Sequence, residues 1–394
     1  MDQAGAQVEM LRQLLVKKQF VEAAANIEGM ASASPQVLSV VPMQWVYAVV
    51  RSLKDAGRTK EYGELLSVLA GDHYQPLETV SSKDYFRSQY ADVLFANGNV
   101  ERAAKIVTSL ESPGLLAKAS LDPRYREFFA TDPDVHAAAE QSLAFHKKRI
   151  EQLPQMLDPI ISAARDLIQL GRAQEAIDLL RSAEPRLKKD DGFFDRNTML
   201  NWWWNELGRA YDQLGNYDAM VASFREGVNA GEYGARNVSQ LLNLAGAQIH
   251  FGRGEAALST LAEFGDRGAS AYGNTVLRFA HGCASALAGR MDDAAHDLAY
   301  MREHEKDSPG NLRSLLVCMG DLDGAAAVFI RHIDDLELRA DALLDLSDFD
   351  EPPVAHPKDP VDSRASALKA RPDIRAAIAR AGGLRHFHVQ QAGM

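Results

Sequence analysis

Cysteines and long apolar runs are scarce in this sequence and acidic residues outnumber basic ones, and each of these features disfavours a class of protein. The chain has only two cysteines, Cys283 and Cys318, and neither a disulfide framework nor a zinc pattern follows from two. No stretch of 18 apolar residues is present, so no bilayer-spanning helix is predicted. The net charge of -11 disfavours a general nucleic-acid binder, because neutralising phosphates requires a basic surface.

Motifs of common enzymes are missing as well. The sequence contains no phosphate-binding Walker loop, no His-Glu-x-x-His zinc motif and no Gly-x-Ser-x-Gly elbow. Residues 1–20 are charged and amphipathic, without the apolar core of an export signal. We therefore expect a cytoplasmic protein of bacterial type that is not an enzyme. We expect it to bind no cofactor, no metal ion and no nucleic acid, and not to insert into a membrane.

The sequence does contain a repeat. Ala and Leu are abundant and β-branched runs are few, which favours helices. In the repeated pattern an apolar helical stretch is followed by Gly, two or three polar residues and an Ala-rich apolar helix. A glycine just past a helix can adopt the left-handed conformation that ends it. The glycines that mark the pattern are Gly57, Gly98, Gly171, Gly215, Gly252, Gly289 and Gly320, and a version without Gly surrounds Lys18.

The spacing of these marker glycines indicates helix pairs. Neighbouring markers lie 31 to 44 residues apart, apart from one gap of 73 residues between Gly98 and Gly171. Helix-pair repeats have periods in this range. The long gap predicts a degenerate or remodelled unit in the middle of the chain.

One unit, from Trp204 to Gly227, resembles the tetratricopeptide repeat (TPR) family. The resemblance implies an all-α fold, an α-solenoid in which antiparallel helix pairs stack into a right-handed superhelix with a concave groove. It is strongest over about 155–265. The unit departs from the family at Met220 and Gly227, where the family prefers Ala. The matching residues are Trp204, Leu207, Gly208, Tyr211, Gly215, Tyr217 and Phe224.

The chain divides into four predicted regions. Residues 5–110 form N-terminal TPR-like helix pairs, 111–155 a degenerate repeat or hinge, and 156–335 the main array. Residues 336–394 contain an acidic and proline-rich linker, a capping helix begun by Pro372 and a flexible tail. The helix is expected to cover the exposed end of the array. Alternatively, the segment is a tethered tail that competes for the groove.

The resemblance also implies a binding surface, since in this family the first helix of each pair lines the groove. Arg165 and Arg209 then occupy equivalent positions of neighbouring repeats. Arginine presents a planar donor fork that suits carboxylates, so the hypothesis is a groove for an acidic or C-terminal peptide segment. In the alternative, both arginines form ordinary salt bridges with Asp158 or Asp212. The predicted groove residues are Arg165, Gln169, Trp202, Asn205, Arg209, Gln213, Asn243 and His250.

Two further groups of residues need an interpretation. Of the consecutive residues Trp202, Trp203 and Trp204, the last matches the repeat's packing position, Trp202 is expected roughly inward and Trp203 elsewhere. His386 and His388 alternate as in an extended, solvated chain end, with weak metal binding as the alternative. Residues 281–304 also contain several histidines beside Cys283, but His281 and Cys283 lie two apart on a helix and diverge, so no catalytic or metal site is predicted there.

These observations favour a protein- or peptide-binding adaptor or scaffold. A regulatory sensor whose ligand or partner releases the C-terminal tail is the second hypothesis, and an accessory subunit of an enzyme is the third. Binding of peptides is what the family resemblance implies, whereas the periodicity predicts the solenoid alone.

Overall fold

The computed structural model describes residues 3–72, 74–76, 80–129, 133–189, 192–230, 238–265, 270–352, 354 and 360–391. The chain folds into two compact units. The first comprises residues 1–120 and 125–133, and the second comprises residues 121–124 and 134–394. Within the described part of the chain, none of the helices combines the length and the apolar character needed to cross a membrane.

The first unit is built from short helices that pack in sequence order. The buried side chains of its fourth helix, Val46, Val49, Val50 and Leu53, follow the spacing of an amphipathic helix with one apolar face. The helices are α1 (Gln3–Val16), α2 (Phe20–Ala33), α3 (Pro35–Ser39), α4 (Met43–Asp55), α5 (Thr59–Leu69), α6 (Val80–Ala96), α7 (Val100–Val107) and α8 (Pro113–Leu121), with a 3-10 turn at Arg126–Phe128.

The second unit contains the main array. Its helices are α9 (Val135–Gln152), α10 (Asp158–Gln169), α11 (Ala173–Leu187), α12 (Arg196–Gln213), α13 (Tyr217–Asn229), α14 (Val238–His250), α15 (Gly254–Ala262), α16 (Ala271–Leu287), α17 (Met291–Glu303), α18 (Pro309–Met319), α19 (Leu322–Asp334), α20 (Arg339–Leu346), α21 (Pro360–Ala370) and α22 (Pro372–Arg380). It also has a 3-10 turn at Glu305–Asp307 and two short strands, β1 (Asp348–Phe349) and β2 (His386–Phe387), which pair in parallel.

The array consists of stacked helix pairs. The first helices of successive pairs, α10, α12, α14, α16 and α18, each pack against the next, and each second helix packs against its own first helix and the first helix that follows. In this row α12, α14 and α16 each lie between two other first helices, and α10 and α18 form its ends, so the five helices line one continuous face. The predicted all-α solenoid of stacked helix pairs is confirmed.

The turn between the two helices of each pair uses the predicted left-handed residue. All seven marker glycines have positive φ angles, from 65° at Gly57 to 78° at Gly320. Lys18, at the unit without Gly, has a φ of 56° and is the non-glycine residue with positive φ in the described part of the chain. An L side chain is strained in this conformation, which explains why Gly recurs here.

The C-terminal region contains more regular structure than the predicted linker, helix and tail. The helix begun by Pro372, α22, packs against α19 through the buried Ile374, Ala377 and Ile378. Two further helices, α20 and α21, precede it, because the acidic segment carries an apolar stripe of Ala340, Leu343 and Leu346 that becomes buried. Most of the predicted proline-rich linker, at 353 and 355–359, lies outside the described residues.

Candidate functional site

The predicted groove residues lie on three first helices that stand side by side. Helix α12 packs against α10 on one side and α14 on the other. Residues 165 and 169 belong to α10, residues 202, 205, 209 and 213 to α12, and residues 243 and 250 to α14. Arg165 and Arg209 each precede a marker glycine by six residues, so the expected equivalence of their positions agrees with the observed turns.

A buried carboxylate joins the two arginines. Glu206 is 1% exposed, and its Oε1 accepts hydrogen bonds from Nη2 of Arg165 at 3.0 Å and from Nε of Arg165 at 3.2 Å. Its Oε2 accepts from Nη1 of Arg209 at 2.8 Å. Burial opposes ionisation of Glu206, but the guanidinium groups of Arg209 and Arg165 outweigh burial and hold its pKa below the ordinary value. We call this cluster of Arg165, Glu206 and Arg209 the arginine clamp.

Sequence reasoning missed Glu206 and named Asp158 and Asp212 as the available salt-bridge partners. The structure shows the salt bridges of this alternative but corrects the partner, because both arginines pair with Glu206. A signal was present: Glu206 precedes Arg209 by three residues, a spacing at which opposite charges meet on a helix. The contact with Arg165 depends on how α10 and α12 pack, and no local spacing predicts it.

The network continues from the arginine clamp into α14. Asn205 donates through Nδ2 to Oε1 of Glu206 at 3.3 Å, and its Oδ1 accepts from Nδ2 of Asn243 at 2.8 Å. A separate bond ties α12 to α10, where Gln213 donates through Nε2 to the Ile168 carbonyl at 2.9 Å. The predicted polar residues of the groove therefore hold the three first helices together.

These residues differ in the exposed fraction of their side chains. The side chains of Asn205 and Gln213 are buried and serve the packing of the helices. The Arg165 side chain is 45% exposed, compared with 18% for Arg209. Two cations share the Glu206 carboxylate in the clamp, and Arg165 forms its more exposed side.

A glycine opens space beside this network. Gly246 stands six residues before its marker glycine, the position that Arg165 and Arg209 occupy in the two preceding pairs. A Cβ placed on Gly246 would meet no atom within 4 Å. The face of α14 next to Asn243 is therefore open where the neighbouring helices carry arginines.

The three consecutive tryptophans are arranged differently from the expectation. Trp203, expected to point elsewhere, is 1% exposed and donates through Nε1 to the Leu180 carbonyl at 3.1 Å. Trp202 and Trp204 are half-buried against the same core. Trp204 also lies beside Gly227 of α13, where an added Cβ would come within 3.3 Å of the Trp204 Cβ.

The predicted groove is also in contact with the end of the chain. The backbone N–H of Gln390 donates to the Gln169 carbonyl at 2.7 Å. His250, the last predicted groove residue, faces Asp212, with 3.4 Å between its Nδ1 and the carboxylate Oδ1. Gln169 is thus both a predicted groove residue and an anchor of the C-terminal segment.

The cysteines are paired, which the sequence did not predict. Cys283 on α16 and Cys318 on α18 form a disulfide whose Cα atoms are 5.4 Å apart. Their separation of 35 residues is about one repeat, so the cysteines fall on facing sides of neighbouring first helices. His281, two residues before Cys283, instead meets the buried Asp297, with 2.6 Å between Nδ1 and Oδ2.

Comparison with known proteins finds matches of low sequence identity among solved structures. No protein-family model matches the chain, and no curated protein matches it. A solved tetratricopeptide repeat protein from Parabacteroides merdae ATCC 43184 is 14% identical, with a TM-score of 0.38, and covers 70% of this chain and 98% of that one. The P58(IPK) TPR domain is 15% identical, with a TM-score of 0.20, over 96% of this chain and 97% of that one.

A third solved structure is the Cut9–Hcn1 hetero-tetramer of APC/C. It is 10% identical, with a TM-score of 0.25, and covers 97% of this chain and 97% of that one. Identities this low concern the fold alone. The assignment of the helix-pair repeat rests on the stacking and the left-handed turns described above.

Proposed function

We propose that this protein is a non-catalytic scaffold that binds a peptide segment of a protein partner across α10, α12 and α14, with a partner carboxylate at Arg165. The observation that carries the proposal is the arginine clamp. Glu206 fixes the Nε and Nη2 edge of Arg165 while the side chain stays half-exposed. A guanidinium held in place loses less conformational freedom when it pairs with a ligand carboxylate.

The open position at Gly246 supports the same surface. An extended peptide needs room for its backbone, and the missing side chain provides that room beside Asn243. Asn243 is half-buried and already oriented by its bond to Asn205, and an asparagine amide can pair with a peptide backbone. The fixed cation, the oriented amide and the open space at Gly246 all lie on α10, α12 and α14 and together support the proposal.

A displayed library of ten-residue peptides with free C-termini tests the proposal. Peptides enriched on the wild-type protein are synthesised, and their affinities are measured by calorimetry for Arg165→Ala. Glu206 keeps Arg209 as its partner in this variant, so the fold is retained. Loss of a charge-assisted hydrogen bond should weaken binding by about 10-fold or more. The matched control is Arg181→Ala, an arginine 40% exposed and paired with Glu184 on the second helix α11.

A steric block provides an independent test. Gly246→Leu fills the open position and should abolish binding, whereas Gly246→Ala should leave most of it. Enriched peptides that bind Arg165→Ala and Gly246→Leu as tightly as the wild type would refute the proposed surface. A library from which nothing is enriched would also count against a peptide-binding scaffold.

The contact between Gln390 and Gln169 favours a second candidate, a sensor whose tail is released by a partner. The tail occupies the carboxyl end of α10, next to the proposed surface. If an enriched peptide displaces the tail, limited proteolysis within residues 352–391 should accelerate in its presence. Unchanged cleavage at saturating peptide would reject the sensor and leave the scaffold untouched.

A further inference from the structure

Two strands far apart in sequence bring two histidines and an aspartate together. In the parallel pair of β1 and β2, Asp348 lies opposite His386, and the Asp350 N–H donates to the Val389 carbonyl at 3.1 Å. Side chains alternate along a strand. Phe387 and Val389 are therefore buried at 2% exposure each, while His386 and His388 project together from the other face.

The three side chains converge on one point. Oδ1 of Asp350 lies 2.9 Å from Nε2 of His386 and 3.3 Å from Nδ1 of His388. One ligand atom from each residue lies within 4.8 Å of the others.

We propose that Asp350, His386 and His388 form a binding site for one divalent transition-metal ion of the zinc class. Zinc bonds to imidazole nitrogen and carboxylate oxygen at about 2.0–2.2 Å, which places neighbouring tetrahedral ligand atoms about 3.4 Å apart. The spacing of 3.3 Å already fits, and the spacing of 2.9 Å requires an opening of a few tenths of an ångström. Two imidazoles favour zinc, cobalt or nickel over magnesium and calcium, which prefer oxygen.

The backbone around the site is fixed before any ion arrives. His136 of α9 donates through Nδ1 to the His388 carbonyl at 2.9 Å, and Gln390 donates through Nε2 to the Glu351 carbonyl at 2.8 Å. Together with the strand pairing, these bonds hold both ligand-bearing segments. Such anchoring sets the orientation of ligands, and its loss typically costs metal affinity. A bound ion would join residue 350 to the end of the chain and hold Gln390 at Gln169.

The test uses the full chain without a polyhistidine tag, after treatment with a chelator. Zinc chloride is titrated in a calorimeter, and cobalt chloride is titrated while visible absorption is recorded. We expect one ion per chain, proton release on binding, and a cobalt spectrum of tetrahedral or five-coordinate type. His386→Ala and His388→Ala should each lower the zinc affinity at least ~10-fold. His296→Ala removes an exposed histidine outside the cluster and should change nothing.

A second readout separates a metal site from a hydrogen-bonded surface cluster. Zinc should raise the Tm of the wild-type protein and leave the Tm of Asp350→Asn almost unchanged, although asparagine can still accept a hydrogen bond. The three side chains are exposed, so the variants should fold, and circular dichroism confirms this. Absence of zinc binding by the wild type, or equal binding by the double variant His386→Ala/His388→Ala, would overturn the proposal.

Discussion

Two interfaces between neighbouring first helices use the same repeat positions with different chemistry. Six residues before the marker glycine stand Arg165 and Arg209 in one region, and Cys283 in the other. Two residues before the marker glycine stand Gln213 in the first region and Cys318 in the second. Between α10 and α12 the contact is a buried ion cluster, whereas between α16 and α18 it is a disulfide.

The comparison shows that residues at the same repeat position, Arg165 and Cys283, form contacts of different chemistry with the next first helix. The ion cluster has an anionic centre at Glu206 of α12, whereas the corresponding residue of α18, nine residues before its marker glycine, is the uncharged Asn311. Without a carboxylate there, an arginine at the buried position of Cys283 would be unpaired, which is costly. The α16–α18 interface instead packs closely, with Gly282 against Leu315. One interface thus contains charged contacts, and the other contains a covalent bond and close apolar packing.

Breaking the disulfide should give the largest effect. Closing a loop of 35 residues restricts the unfolded chain by an amount worth about 3–4 kcal/mol in the entropic model. Reduction of the wild-type protein should lower the free energy of unfolding in urea by about this amount, while Cys283→Ala/Cys318→Ala should not respond to reductant. Two free thiols in unreduced, denatured protein would contradict the pairing. Disulfides are rare in the cytosol, so this measurement also tests the expected location.

Removing the centre of the arginine clamp should have the next largest effect. Glu206→Gln leaves two arginines without a buried anion and should lower the free energy of unfolding by about 3 kcal/mol. The control, Glu184→Gln, breaks a half-exposed pair with Arg181 and should change stability by less than about 0.5 kcal/mol. Similar urea midpoints for the two variants would show that the clamp does not stabilise this interface.

Two glycines should respond to alanine with opposite signs. A Cβ on Gly282 would lie 2.9 Å from Cδ1 of the buried Leu315, so Gly282→Ala should destabilise the protein by about 1–2 kcal/mol. Gly246 has open space and a helical conformation, so Gly246→Ala should stabilise it by about 0.5–1 kcal/mol. Thermal unfolding of both variants provides the measurement. A gain in Tm for Gly282→Ala would contradict the tight packing of the α16–α18 interface around Gly282.

The smallest effects concern two histidines with opposite pH dependence. A hydrogen bond to Asp297 raises the pKa of His281, so its stabilising contribution is present below about pH 6.5 and lost as the pH rises through the folded-state value. Burial lowers the pKa of His332, helped by Arg313 and opposed by Glu305, so its contribution is present above about pH 6.5 and declines as the pH falls.

Urea unfolding at several pH values measures both contributions. Relative to the wild type, His281→Gln should lose stability mainly at low pH, and His332→Gln mainly at high pH. Each slope should stay below about 1.4 kcal/mol per pH unit, the limit for one proton. Parallel stability curves for the wild type and both variants would contradict these assignments.

The repeat and its turns could be predicted from the sequence because both are local. The glycine that ends a helix directly follows it in sequence, and the apolar residues on one face of α10 recur every three or four residues. The equivalence of Arg165 and Arg209 in neighbouring repeats also follows from the sequence, because each lies six residues before its marker glycine. The partner of these arginines could not be predicted, because Glu206 lies 41 residues from Arg165 and meets it only through the packing of two helices.

Trp203 illustrates the same limit on a smaller scale. The motif favoured its neighbour Trp204 as the packing residue, yet Trp203 is the one with a buried hydrogen bond to Leu180 on α11. Successive residues on a helix are rotated by about 100° around its axis. The angle at which the previous helix pair packs therefore decides which tryptophan is buried. The sequence places three tryptophans on one helical turn, but packing against the neighbouring helix pair determines which of them is buried.

The sequence by itself determined the helix-pair period, the left-handed turns and the positions that face a neighbouring pair, since these depend on contacts within a few residues. The tertiary structure alone decided the chemistry at those positions: Glu206 between two arginines, Cys283 with Cys318, and Asp350 with His386 and His388. Each of these sets includes a contact between residues about one repeat apart in the chain: Arg165 with Glu206, Cys283 with Cys318, and Asp350 with His386. Only the lateral packing of helices or strands brings such residues within bonding distance.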